Sequence, residues 1–326
     1  MTVSVRQSID AYLDSVGLAR SENTERTYAN ALQAFSTMLT EHDLDPDVVS
    51  VDQVDELWIA DFAQYLRHYA STSESLYLTA VNGWFEYLDA QKLTMVNLSK
   101  VRLLIRRRGR KPGRRLPQFP REDIDRVIKY ALHLENAQSE DIRKRLRTLR
   151  DSAFLILLAD SGLRVHEACS LRRGDLDWNE GRVVIIGKGD KEAVVRISSR
   201  ALKAIKRYLN ARAAMDGVAG RMLSALPVFA RHDRGAGKKI LPISTTTGRA
   251  IVKQRVREAV GETAAERITP HSFRHYFVTT VLRGSGGNLK LAQELARHTN
   301  IAVTQRYAHL SDDELDRAYF ELFDRE

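Results

Sequence analysis

The chain has 326 residues, 43% hydrophobic and 29% charged, an ordinary globular balance that excludes wholesale disorder. Its 51 Lys+Arg against 42 Asp+Glu leave a formal net charge of +9, and its single cysteine, Cys169, excludes an intramolecular disulfide or a thiolate metal cluster. The opening MTVSVRQSID has no secretory pattern, and the best apolar run, AFLILLA at 153–159, is too short to span a bilayer. A soluble, cytoplasmic protein of two domains is expected.

Residues 1–105 read as an all-helical domain, and the first hundred residues are acidic, with a net charge of −9. Apolar residues recur at helical spacing over residues 4–16, 24–41, 54–70 and 73–91. Their aromatic side chains, including Phe35, Trp58, Phe62, Trp84 and Phe85, are expected in the core rather than stacked on bases. At 102–115 the sequence RLLIRRRGRKPGRR holds eight cations in fourteen residues, with Gly109, Pro112 and Gly113 among them. Helix breakers and like-charge repulsion predict an extended linker here, with the domain boundary at residues 106–116.

The second domain, residues 117–326, is predicted helical at 121–134, 143–160 and 164–171. The period then changes. RVVII (182–186) and EAVVRI (192–197) are β-branched strands joined by GKGDK, a Gly-rich hairpin turn. Helix resumes at 199–215, residues 216–240 read as a loop, and helices continue to the end. The fold class is mainly α with a small antiparallel β-sheet.

Charge is uneven along the chain: residues 101–150 carry +10 and residues 151–326 carry +8. On its own a basic run is a solvated linker or a localisation signal. Beside a basic domain, it favours a polyanion passing along the linker, each neutralised phosphate releasing counterions. Arg106, Arg107, Arg108, Arg110, Lys111, Arg114 and Arg115 are the candidate DNA contacts. A DNA-facing side of the acidic first domain would draw on Arg20, Arg26, Lys92 and Lys100.

The segment ITPHSFRHYFVTTVL carries the most chemistry. Thr269 suits an N-cap and Pro270 the first helical position, where its missing N–H costs nothing. His271 then lies in the first turn and Arg274 shares its face, so free N–H groups, an imidazole and a guanidinium converge as in a phosphate site. HxxR alone is more often a capped helix with two exposed polar residues. His271 and His275 at i, i+4 could pair on a metal, but no acidic third ligand is near in sequence. Three more segments narrow the choice: DSGLRVHEACSL with Arg164 and Glu167, VVIIGKGDKEAVVRI with Lys188, and ELARHTNIAVTQRYAHL with His298 nine residues before Tyr307.

In the order Arg, Lys, His-x-x-Arg, His, Tyr, these blocks closely resemble the tyrosine recombinase or phage integrase family, of the simple Xer-like or Cre-like kind. The resemblance implies a helical core-binding domain followed by the catalytic domain. It implies Tyr307 as the nucleophile, attacking a phosphodiester to give a 3′-phosphotyrosyl link and a free 5′-hydroxyl. Arg164 and Arg274 would neutralise the phosphate and stabilise its pentacoordinate transition state, and His298 would donate to a nonbridging oxygen. His271 would assist proton removal from Tyr307, whose phenol is a weak nucleophile at neutral pH. Lys188 would protonate the leaving 5′ oxygen, and Glu167 would support the basic cluster. The covalent enzyme retains the phosphodiester energy, so neither ATP nor a metal cofactor is implied.

Implied partners are double-stranded DNA sites and further copies of the chain. A dimer would sit on each site and a tetramer in the synapse, with strands exchanged through a Holliday junction. The C-terminal segment 311–326 would dock on a neighbouring protomer, and a second recombinase is possible as a partner. A nucleoid-associated location follows. Where the family usually has glycine before the last histidine, this chain has Arg297, which could add a phosphate contact. Type IB topoisomerases use a similar set, usually with lysine where His271 stands. A catalytically silent DNA-binding accessory protein is the third reading.

Overall fold

The structure, a computed structural model, describes residues 3–110, 120–134, 136, 139–186, 192–237, 239–298 and 300–305. The chain divides into two compact units, Met1–Arg115 and Leu116–Glu326.

In the first unit, α1 (Val5–Ala19) starts at a reciprocal cap: Ser4 Oγ accepts from the Gln7 N–H while Gln7 Oε1 accepts from the Ser4 N–H. It is followed by α2 (Glu22–Glu41), α3 (Trp58–Tyr65), α4 (Ser71–Ala90) and α5 (Leu98–Arg108). Phe35, Phe62, Trp84 and Phe85 are fully buried in one core, and the Trp84 indole donates to Ser8 Oγ at 3.1 Å. The helix expected over 54–70 is shorter. Asp55 Oδ1 accepts from the Leu57 N–H at 2.7 Å, an Asx turn that delays helix entry to Trp58, and the end tightens into a 3₁₀ turn at Leu66–His68.

The expected extended linker is corrected over its first half, because residues 102–108 belong to α5. Asn97 caps that helix by accepting from the Lys100 N–H, and Val101, Leu104 and Ile105 pack on the first core. Arg106, Arg107 and Arg108 fall in its last turn, where cations complement the carbonyl end of the helix dipole. Burial and the dipole thus outweigh their mutual repulsion, and all three side chains remain exposed. Arg110 is not a free cation. It bonds the fully buried Glu74 through both its backbone N–H and its guanidinium, and donates to the Leu66 and Tyr69 carbonyls. Lys111, Arg114 and Arg115 lie outside the described residues. Of the cations named on the first domain, Lys100 is paired with Glu56 at 2.9 Å and Arg26 bonds Asn23.

The second unit is built around α7 (Ile142–Ser161), whose residues Ala153–Ala159 are all buried. A helix apolar all round must be covered all round. Here α6 (Arg121–Leu134), α9 (Ser199–Gly217), α10 (Thr245–Val260) and α12 (Pro270–Gly284) cover it. Between α8 (Val165–Ser170) and α9 lies a three-stranded antiparallel sheet, β1 (Leu176–Asp177), β2 (Arg182–Ile186) and β3 (Glu192–Arg196), in that order. Val183 pairs with Val195 on the buried face, while Val184 and Val194 pair on the exposed one. The two-residue β1 is too short to leave a pattern in the sequence. The remaining helices are α11 (Glu262–Arg267), α13 (Leu289–Ala296) and α14 (Ile301–Gln305).

The segment read as a loop at 216–240 is irregular but not superficial. Leu226 to Ala230 are buried, and the fully buried Arg212 donates to the carbonyls of Pro227 (2.7 Å) and Val228 (3.1 Å) while paired with Asp216. The arginine satisfies backbone acceptors that a surface loop would leave to water. No described helix is long and apolar enough to cross a membrane.

Candidate active site

The site forms where the end of α7, the start of α8, the first turn of α12 and the end of α13 meet. α7 stops at Gly162, which caps it in the left-handed conformation (φ 61°). A Cβ at this position would stand 2.5 Å from Phe277 Cδ1, so the turn needs glycine for its torsion and for its close approach to α12. The Gly162 carbonyl accepts from Arg274 Nη1, and the Ala296 carbonyl at the end of α13 accepts from Arg274 Nη2. Arg274, 3% exposed, therefore ties three segments together.

Arg164 is the N-cap residue of α8, which begins at Val165, one residue later than expected from sequence. Its backbone N–H donates to Glu167 Oε2 at 2.7 Å and its Nη1 to Glu167 Oε1 at 3.1 Å, while 46% of its side chain stays exposed. Arg297 reaches the same carboxylate from the other side, with Nη1 at 3.2 Å from Oε1 and Nη2 at 2.8 Å from Oε2. Burial alone would raise the Glu167 carboxyl. The Arg297 bonds, the Arg164 N–H and the two positive charges outweigh it and hold the group below its ordinary range.

His271 sits in the first turn of α12, behind Thr269 as N-cap and Pro270 as first residue, as expected. Desolvation first, then the charges of Arg274 and Arg164, push its imidazole down. Its ring meets that of His275 at 4.3 Å, edge to face. Burial pushes His275 down to about 4, helped by His271, Arg274 and His298. His298 follows α13, with Nδ1 2.9 Å from the hydroxyl of the fully buried Thr304 in α14. Its pKa is lowered to about 4 by burial and by Arg274, Arg164, His271 and Arg297. Burial and the neighbouring guanidiniums thus disfavour the charged form of all three imidazoles.

Arg164, Glu167, His271, Arg274 and His298 are brought together; Lys188 and Tyr307 lie outside the described residues. The phosphate contact expected of Arg297 gives way to a carboxylate contact, since its guanidinium is turned inward onto Glu167. Sequence reading gave neither Gly162 nor Thr304 a role in the site. The DSGLR turn carried a signal for the first, whereas nothing local marks Thr304. The arrangement gathers the exposed guanidinium of Arg164, the buried one of Arg274 and the imidazoles of His271 and His298 beside a helix N-terminus, a set suited to holding a phosphodiester and moving a proton near it.

Residues 133–314 match the model of the phage integrase family. The chain belongs to the phage integrase family. It is a tyrosine-type site-specific recombinase, mainly helical with one small antiparallel sheet. The recombinase is 30% identical to "Tyrosine recombinase XerC" of Thermodesulfovibrio yellowstonii over 315 residues, 95% of this chain and 94% of that one. It is 31% identical to "Tyrosine recombinase XerC" of Actinobacillus pleuropneumoniae serotype 7 over 92% of this chain and 87% of that one. Its fold is similar to XerH bound to a palindromic difH substrate in a post-cleavage complex (TM-score 0.69, 18% identity, 97% of this chain and 84% of that one). It is also similar to a lambda integrase(75–356) dimer bound to a COC′ core site (TM-score 0.62, 16% identity, 94% and 95%).

Proposed function

We propose that this recombinase cuts and rejoins DNA through a covalent bond to Tyr307. The phenol oxygen attacks the scissile phosphorus, the P–O5′ bond breaks, and the products are a 3′-phosphotyrosyl enzyme and a free 5′-hydroxyl. The phenol proton goes to His271, and Lys188 supplies a proton to the departing 5′ oxygen. Arg164 and Arg274 bear on the nonbridging oxygens as charge builds there, and His298 donates to one of them. Rejoining is the same exchange in reverse with a new 5′-hydroxyl, so the energy of the bond is retained.

The convergence of Arg164, His271, Arg274 and His298 from three distant stretches of sequence carries this reading. The place of His271 in the first turn of α12, on the same helix face as Arg274, supports it as well. Residues 1–105 act as the core-binding domain and residues 106–116 as the cationic stretch between the domains, with Arg106, Arg107 and Arg108 on DNA phosphates. Two recombinases bind each site and four form the synapse, exchanging strands through a Holliday junction, with residues 311–326 docking on a neighbour.

A nicked duplex carrying a site selected from random DNA tests the chemistry, because loss of the short 5′ fragment traps the covalent adduct. The parent chain is expected to form the adduct without metal or ATP, and Tyr307→Phe none. An undiminished adduct in Tyr307→Phe would exclude that nucleophile. Relaxation of supercoils without any site requirement would point instead to a type IB topoisomerase activity.

A further inference from the structure

Glu167 is gripped from two sides, and only one of them faces the proposed phosphate site. The Glu167 side chain is 2% exposed. Arg297 takes it as a fork, one nitrogen on each oxygen, whereas Arg164 gives it a single guanidinium nitrogen and its backbone N–H. The Arg297 side chain is 15% exposed and the Arg164 side chain 46%, so the inner arginine is committed to the carboxylate and the outer one keeps donors for another partner. Arg297 does this from φ 56°, ψ 44°, a left-handed conformation that a residue bearing a Cβ rarely adopts. Glycine would hold that turn without strain, so the backbone alone does not account for an arginine here.

We propose that Arg297 is a positioning residue that neutralises Glu167 and so leaves the Arg164 guanidinium free to bind the scissile phosphate. This rests on the reading of Arg164 as a phosphate-binding group. A buried carboxylate lacking a fork partner attracts the nearest guanidinium strongly, because little water screens the pair. Without Arg297 that guanidinium is Arg164's, already bonded to Oε1. A two-pronged pair between them would turn the Arg164 donors inward and cancel its charge. With Arg297 in place, the two arginines and one glutamate sum to +1, and the positive charge sits on the exposed side. The same turn also carries the Ala296 carbonyl held by Arg274 and delivers His298, so Arg297 acts at the junction of the whole cationic set.

Single-turnover adduct formation on the nicked duplex, at saturating DNA and with melting temperatures alongside, tests the proposal. Arg297→Gly, which keeps the turn unstrained, is expected to slow adduct formation about tenfold or more, the scale of coupling within one bonded network. Arg297→Lys, which returns the charge without the fork, should recover part of that loss. The decisive variant is Arg297→Gly combined with Glu167→Gln. With no carboxylate left to capture Arg164, it should cleave faster than Arg297→Gly alone, a rescue that a merely structural role would not produce. Arg297→Gly at the parent rate, or a double variant no faster than Arg297→Gly, overturns the proposal. Should the glycine variants melt below the assay temperature, Arg297→Gln with and without Glu167→Gln makes the same comparison. If Arg164→Ala and Tyr307→Phe retain full adduct, the underlying reading fails; if both abolish it while Arg297→Gly changes nothing, only the role of Arg297 does.

Discussion

At Gly162 a single missing methyl group sets the geometry of the site. Its left-handed torsion and the 2.5 Å approach of Phe277 to a notional Cβ act together, and its carbonyl is one of the two that hold Arg274. Gly162→Ala is expected to lower stability by about 1–2 kcal/mol from the torsion, with a further loss of roughly 1–3 kcal/mol from overpacking. It should also slow cleavage, since moving the turn moves Arg274. Urea midpoints and adduct rates on the same variant check both; an unchanged midpoint would contradict the account of the turn. His232 poses a different problem at this scale. It is 4% exposed, with Nε2 2.8 Å from the Tyr208 hydroxyl, and burial together with Arg150, Arg212 and Arg147 pushes it down to about 3. The unfolded chain takes up this proton below about pH 6.5 and the folded chain does not. Stability is therefore full above that pH and falls as the solution is acidified toward pH 3, by roughly 1.4 kcal/mol per pH unit for this one group. Urea midpoints between pH 7 and pH 4 should decline, and more shallowly in His232→Asn.

At the scale of elements, the end of α5 divides cations that face solvent within the helix from Arg110, which follows it and holds the fold. Glu74 is fully buried, and the Arg110 guanidinium is its ion-pair partner. Arg110→Ala should destabilise the first unit by about 2–3 kcal/mol, a buried carboxylate left without its cation, discounted for the partial exposure of the arginine. Arg106→Ala and Arg107→Ala should cost less than about 1 kcal/mol each, the scale of an exposed charge at a helix end. Each should instead reduce the slope of log affinity against log salt by about 1. Filter binding or anisotropy across a salt series distinguishes the two classes; equal effects of Arg110 and Arg106 on stability would refute the division.

At the scale of the molecule, the two cores draw on separate stretches of chain. The first comprises residues up to Ile105, and the main core of the second unit starts at Ile124. Each stretch closes its own apolar surface, which is the physical criterion for independent folding. Fragments 1–115 and 116–326 are each expected to show helical circular dichroism and a cooperative melt of their own. A fragment that remains unfolded when expressed alone would show that its stability depends on the other. The charge division works in the same direction. The first hundred residues carry −9, and Lys100, one of their few cations, is paired with Glu56.

Periodicity alone determined most of the helices, the β2–β3 hairpin and the mainly helical class, because burial of one face leaves a regular trace along the chain. The motif blocks determined the family and selected Arg164, Glu167, His271 and Arg274, since each sits in a local turn or cap that its neighbours specify. Only tertiary structure decided what the cations touch. Arg110 and Arg106 look alike within one basic run, yet Glu74, 36 residues away in sequence, claims one of them. Arg297 reads as a possible phosphate contact until the fold brings it to Glu167, 130 residues distant. Local sequence encodes backbone preference and amphipathicity, whereas the partner of a charged side chain is set by which distant surface the packing delivers to it.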